Sequence, residues 1–248
     1  TIMAKININQ IQEEAKGQVK EEQVWLLTYA DMMTLLFAFF VLLYSMSSPD
    51  PVKASQMQEG MAKELGLAKE KGVDVKSQSE INETLLDIIE ELGVTENSTI
   101  TRDPRGVALE VDGDICFGSG STILSDELKT ILKTLTQDIL NNTQDYRLVV
   151  IEGHTDSDAI PDQLMQSYPT NWELSSGRAA EVVKYLISKG VNSTRLSPTG
   201  YADRWPFGIT WTQKRSGDIN QELIDAMNAT KDLKRKNRRI KIIIGPNY

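Results

Sequence analysis

Asp31 is the single charged residue in the stretch 25–46, WLLTYADMMTLLFAFFVLLYSM, and few kinds of chemistry are open to a carboxylate so placed. In a low-dielectric setting a lone carboxylate neutralises itself with a proton or a cation. Exposing it to hydrocarbon costs at least ~2.5 kcal/mol, so it turns to a protein partner or an ion path. Thr34, one turn further on, offers a hydroxyl oxygen to either ion. A second group of reactive residues stands at 154–158, His-Thr-Asp-Ser-Asp. His154 beside Asp156 and Ser157 has pieces of a nucleophilic triad, but no G-x-S-x-G elbow accompanies it, and the expected role is packing. Asp156, Asp158 and Asp162 lack the regular alternation and closing glutamate of a calcium loop, which makes them a solvated acidic loop.

These residues need elements to position them. At about 1.5 Å per residue, residues 25–46 reach roughly 33 Å as a helix, enough for one crossing of a hydrocarbon core of about 30 Å. On that helix Thr28, Asp31, Thr34 or Leu35, Ala38 and Ser45 share one side, a stripe of small and hydroxyl residues that lets another helix approach and bond across the contact. The run is too long for a secretory h-region and follows two dozen polar residues, which favours an uncleaved anchor. Lys5, Lys16 and Lys20 precede it and Lys53 follows, so the expectation is a cytoplasmic N-terminus with the long C-terminal part exported. Expected segments are therefore a short helical stub at 1–24, a span at 25–47 and a linker at 48–79. In the linker Ala54, Met57, Met61 and Leu65 form a short amphipathic stripe, either a solvated helix or a plug against the membrane or a partner.

Residues 80–248 suffice for one soluble domain with its own core. Helices are expected at 81–92, 125–140 and 172–189, the first and last ended by Gly93 and Gly190, and strands at 99–102, 106–111, 146–152, 195–200 and 239–244. The fold class is thus a transmembrane α-helix plus an α/β sandwich, with helices packed on one mixed sheet. The 248 residues carry a net charge of -8, which argues against a nucleic-acid partner. Cys116 is the only cysteine, so neither an intrachain disulfide nor a Cys-rich metal cluster can form.

The string WLLTYADMMTLLFAFFVLLYSMSS closely resembles the single span of MotB and PomB, the B subunits of flagellar stators. The resemblance implies that Asp31 carries the coupling ion, H+ or Na+, with no other cofactor. It also implies a homodimer surrounded by a ring of multi-span A subunits (MotA/PomA-like) that drives the rotor, in a bacterial inner membrane. Sodium stators place a cysteine where Ala38 stands, so the resemblance leans to protons. Two other readings share these features: a B-type subunit of a non-flagellar ion motor such as the Zorya antiphage system, and a passive peptidoglycan tether whose membrane acid only pairs helices.

The segments VVIEGHTDSDAIPDQLMQSYPTNWELSSGR, RLSPTGYADRWP and NRRIKIII are similar to the OmpA-like peptidoglycan-binding domain. That family's Asp after His-Thr and Arg of the L-S-x-x-R-A helix fall here on Asp156 and Arg178. The resemblance implies that they hold the ammonium and the carboxylate of a diaminopimelate residue, the latter by a two-pronged guanidinium. Thr155 and Asn171 are candidate polar contacts. No catalytic residue and no metal ligand is expected. The chain departs from the family at 207–236, an insertion in which residues 219–233 read as one extra helix. Trp205, Phe207 and Trp211 would cover the ligand cleft, pair domains or pack that helix.

Overall fold

The chain is described from a computed structural model over residues 8–46, 57, 61, 75–118 and 121–246. The expected linker helix and plug fall on residues outside this set, apart from Met57 and Met61. Two units divide near Ser48.

The first unit is one helix, α1, Ile8–Met46. The helical stub expected before the span joins it without a break from Ile8 on, with no proline before Pro49 to stop the helix. Within it Trp25–Ser45 is long and apolar enough to cross a membrane.

The second unit begins with α2, Gln78–Glu91. Ser77 caps it through a reciprocal box with Glu80, and the chain leaves it through Gly93 at φ +65°. Then follow β1, Ser98–Asp103, β2, Gly106–Asp112, the single turn α3, Gly113–Cys116, and α4, Asp126–Leu135, whose end widens into a π-turn to Leu140. Next come β3, Val149–His154, the turn α5, Asp162–Met165, α6, Asn171–Ser188, and β4, Leu196–Gly200. The stretch that follows holds α7, Trp211–Ser216, α8, Gln221–Ala226, and α9, Lys231–Asn237, before β5, Arg239–Ile244. The sheet order is β1-β2-β5-β3-β4. Only β3 and β4 are parallel, because α6 carries the chain back across the sheet between them.

Alternation along the strands separates two unlike faces. Val107, Leu109, Val111, Val149, Ile151, Ile240, Ile242 and Ile244 meet the apolar stripes of α2, α4 and α6 in one buried core. The opposite face carries Glu110, Glu152, His154, Arg239 and Lys241, all buried. Lys241 is 3.0 Å from Asp103 and 3.5 Å from Glu110, Arg239 is 3.1 Å from Glu110, and Arg105 is 2.7 Å from Glu152. Such a row of charges survives out of water only because each has a counter-charge at contact distance.

Residues 201–214 cover this ionic face. Trp205 lies against Tyr201 and Trp211, with ring centres 5.1 and 5.0 Å away, and the Lys214 ammonium rests 3.8 Å above its ring. Trp211 donates to Asp103 Oδ2 at 3.1 Å. The expected single helix at 219–233 is two: α8 ends where Asn228 N–H bonds Asp225 O, and the Thr230 hydroxyl caps a new helix by accepting from Leu233 N–H. The third strand starts at Val149 rather than at Tyr146, because Arg147 turns back to Asp145 through its backbone N–H and Nε, holding residues 145–147 out of the ladder.

Candidate functional site

Two glycines decide how the domain's site is assembled. Gly153 on β3 pairs with Gly200 on β4. A Cβ on Gly153 would stand 2.1 Å from Ser175 O, and one on Gly200 would stand 2.2 Å from Ser176 Oγ. With no side chain at either position, the first turns of α6 sit directly on the ends of both strands. Thr170 caps that helix by accepting from Trp172 N–H, and its backbone N–H donates to Glu173 at 2.9 Å. Thr155 and Asp156 follow immediately after β3, where Thr155 N–H bonds Ala202 O at 2.9 Å.

Asp156, Arg178, Thr155 and Asn171, the four residues expected to bind a wall peptide, all line one cleft of about 500 Å³. They do not pair as an ordinary salt bridge. Asp156 Oδ2 is bound by Arg238 Nη1 at 2.6 Å and Oδ1 accepts from Asp158 N–H at 3.2 Å. Arg178, 8% exposed, donates Nε and Nη2 to Ser121 O at 3.2 Å and lies 4.9 Å from the centre of the Phe117 ring. Burial lowers its pKa, with the nearby Asp156 charge opposing that trend. A guanidinium stripped of water and held without a carboxylate at contact gains most from an anionic ligand. Asn171 Nδ2 donates to Asp156 O and Asp158 O, at 3.2 and 3.1 Å, and so works on the loop backbone. The Thr155 hydroxyl is enclosed and has no hydrogen-bond partner among the described residues. The cleft therefore offers a cation and an acid that are fixed separately, with an unsatisfied hydroxyl between strand and loop.

Arg238 belongs to this cleft and was not anticipated as a site residue, although it lies in the N-R-R-I string. It bridges Asp156 and Asp114, to which its Nη2 donates at 3.0 Å. Burial works against its charge, but these hydrogen bonds outweigh it and raise the pKa. Asp114 and Phe117 carry no sequence signal; the close packing of α3 on the start of β5, where Gly113 N–H bonds Arg238 O, brings them in. His154 is fully enclosed, its ring stacked on Tyr201 at 5.4 Å and edge-on to Trp205 at 6.1 Å. Burial, together with the Arg239 charge, pushes its pKa down to about 4. Glu152 Oε2, 3.7 Å away, is beyond hydrogen-bond reach.

In the membrane unit Asp31 is exposed on the helix surface, and the Thr34 hydroxyl donates to the Asp31 carbonyl at 2.8 Å. With its proton committed to the backbone, Thr34 keeps its lone pairs for an incoming cation or water.

Residues 9–65 match the MotB_plug family, membrane MotB of the proton-channel complex MotA/MotB, and residues 116–220 match the OmpA family. The uncharacterized protein YtxE of Bacillus subtilis is 31% identical over 94% of this chain and 93% of its own length. The chain belongs to the MotB-like family with a C-terminal OmpA-like domain. Motility protein B of Bacillus subtilis is 24% identical over 91% of each chain. A MotB-like protein from Desulfovibrio vulgaris shares the fold, with a TM-score of 0.54 at 19% identity over 68% of this chain and 94% of that one. Membership of the MotB-like family, with one apolar helix ahead of an OmpA-like domain, makes this a single-pass membrane protein.

Proposed function

We propose that this protein is the wall-anchored, ion-conducting B subunit of a motor stator. Asp31 takes up and releases the coupling ion, a proton on the evidence of Ala38, and Thr34 lends it an oxygen. Two copies stand inside a ring of multi-span A subunits, and the ring's motion past them is delivered to the flagellar rotor. The N-terminus lies in the cytoplasm, the helix in the inner membrane and the OmpA-like domain in the periplasm. There Arg178 grips a diaminopimelate carboxylate, and Asp156 takes the ammonium, aided by Thr155 and Asn171. An ion-driven ring delivers force only if something holds its axis still, so the two sites are mechanically one device.

The observation that carries this reading is the separation of Asp156 from Arg178. The acid is already balanced by Arg238 while Arg178 is left for an anion, which suits a zwitterion and not a simple internal ion pair. Purified sacculi test it directly. In detergent the full chain should co-sediment with them, and Arg178→Ala should stay in the supernatant while the membrane complex remains assembled. Equal sedimentation of the two proteins would remove the anchor from the proposal. Torque or growth arrest that follows external pH and ignores sodium supports protons; strict sodium dependence reverses the choice of ion.

A further inference from the structure

The segment 207–236 reaches the cleft loop through the buried amide of Asn228, which a second buried amide, Asn237, holds in place. Asn228, 4% exposed, lies just past α8. Its Oδ1 accepts from Ser157 N–H at 3.2 Å and from Asn237 Nδ2 at 3.0 Å, while its Nδ2 donates to Ile224 O at 2.8 Å. Asn237, 2% exposed, closes α9 and also donates to Met227 O and accepts from Phe207 N–H, each at 2.8 Å. On the same helix Lys234 Nζ stands 2.5 Å from Asp158 Oδ1.

Two of these contacts, Asn228 on Ser157 and Lys234 on Asp158, end on the neighbours of one carboxylate. Ser157 and Asp158 follow Asp156 directly, Asp158 N–H holds Asp156 Oδ1, and Arg238, the residue after α9, holds Asp156 Oδ2. Both oxygens of the acid are thus gripped by groups that the insertion itself fixes. Each oxygen keeps a second lone-pair direction for a ligand.

We infer that the insertion is a positioning device for the cleft, with Asn228 the residue that aims Asp156 at a ligand ammonium by fixing Ser157. This deepens the wall-binding reading and rests on it. A carboxylate fixed beforehand loses no rotational freedom when the ligand arrives, so the gain appears as affinity. Removing the Asn228 acceptor leaves the Ser157 amide and the Asn237 side chain without their shared partner, and the loop is free to turn the acid away.

The test uses the full chain in lipid nanodiscs and a soluble muramyl tetrapeptide containing diaminopimelate, with Kd read by calorimetry. Asn228→Ala should weaken binding about tenfold, the worth of one well-placed hydrogen bond. Asn228→Asp keeps an acceptor toward Ser157 but loses the donor to Ile224 O, so it should bind more tightly than Asn228→Ala and more weakly than the parent. In an Asp156→Asn background the further loss from Asn228→Ala should shrink to within about twofold, because the effect passes through Asp156. Hydrogen exchange at the Ser157 amide should quicken more in Asn228→Ala than in Asn228→Asp, which keeps the acceptor. If Asn228→Ala does not fold, Asn228→Ser, too short to reach Ser157, takes its place. Parent-like affinity in the Ala or Ser variant, or an equal loss with and without the Asp156 charge, overturns the positioning role and leaves the wall-binding reading standing. A parent chain that ignores the peptide refutes the wall-binding reading, and the inference goes with it.

Discussion

Asp31 and Asp156 are both acids in places where an acid must be accounted for, and the chain holds them in opposite ways. Asp156 is 6% exposed, each of its oxygens already accepts a hydrogen bond, and Asn171 grips its backbone carbonyl. Asp31 stands on a helix whose large apolar side chains, from Trp25 to Tyr44, are exposed. Thr34, one turn on, bonds its backbone and not its carboxylate. One site is finished by the folding of the chain, and its geometry is fixed before any ligand arrives. The other is finished by whatever the span meets in the membrane. Changes around Asp156 should therefore act by degrees, as altered affinity, whereas a change at Asp31 should act as a switch.

The widest contrast is Asp31→Asn. The amide keeps the shape and the helix but cannot exchange a proton, so ion flux and motility should fall to background while the amount of assembled membrane complex stays the same. Flux at the parent level would make Asp31 a helix-pairing residue and the protein a passive tether. In the cleft the largest effect should come from Arg178→Ala. Charge-assisted hydrogen bonds are worth ~1.5 to 3 kcal/mol, so sacculus or tetrapeptide affinity should drop roughly 10- to 100-fold. Arg178→Lys should recover only part of that, since an ammonium cannot make the two-pronged contact. Full recovery by lysine would show that charge alone matters there and that the fork does not.

How much of this contrast the residues disclose in advance depends on the range of the forces involved. The spanning helix, the strands at 106–111 and 239–244 and the helix at 172–189 are legible because their apolar periodicity reports which face each residue buries. Asp156, Arg178, Thr155 and Asn171 are legible because a recognisable string carries them, and all four line the cleft. Arg238 is hidden by distance: its bond to Asp156 spans 82 positions, and no local pattern announces a partner so remote. The ionic face of the sheet is hidden differently. No local pattern marks Glu110, Glu152, Arg239 and Lys241 as buried, and Trp205, which lies against Lys241 and accepts from Arg239 through its carbonyl, comes from a remote stretch of the chain. The split of the expected helix at 219–233 turns on Asn228 and Thr230, two polar residues whose side chains serve backbone groups in the break rather than a continuing helix.

A smaller effect should follow from Gly153→Ala. The added methyl would meet Ser175 O at 2.1 Å, an overlap that moves α6 outward at a typical cost of about 1 to 3 kcal/mol. The melting temperature should fall, and cleft affinity should fall with it because Arg178 rides on the same helix. A lower melting temperature with unchanged affinity would mean that the strands yield and α6 keeps its place.

The slightest effect, and the sharpest probe of the covered face, is the pH dependence contributed by His154. Its folded pKa of about 4 lies below the ordinary 6.5, so between those values the unfolded chain takes up a proton that the folded chain refuses. Stability contributed by the neutral ring is complete above about pH 6.5 and is lost as the pH falls toward 4, with a slope approaching 1.4 kcal/mol per pH unit at most. Glu152 and Asp103 share the face and their carboxyls are also held below the usual range, so the informative quantity is a difference between two proteins. In urea unfolding followed by tryptophan fluorescence, with Trp205 and Trp211 as nearby reporters, the advantage of the parent over His154→Gln should shrink steadily from pH 7 to pH 4.5. Parallel profiles would mean that water reaches the imidazole beneath Tyr201 and Trp205, and that residues 201–214 cap the charged strands less tightly than the ring packing implies.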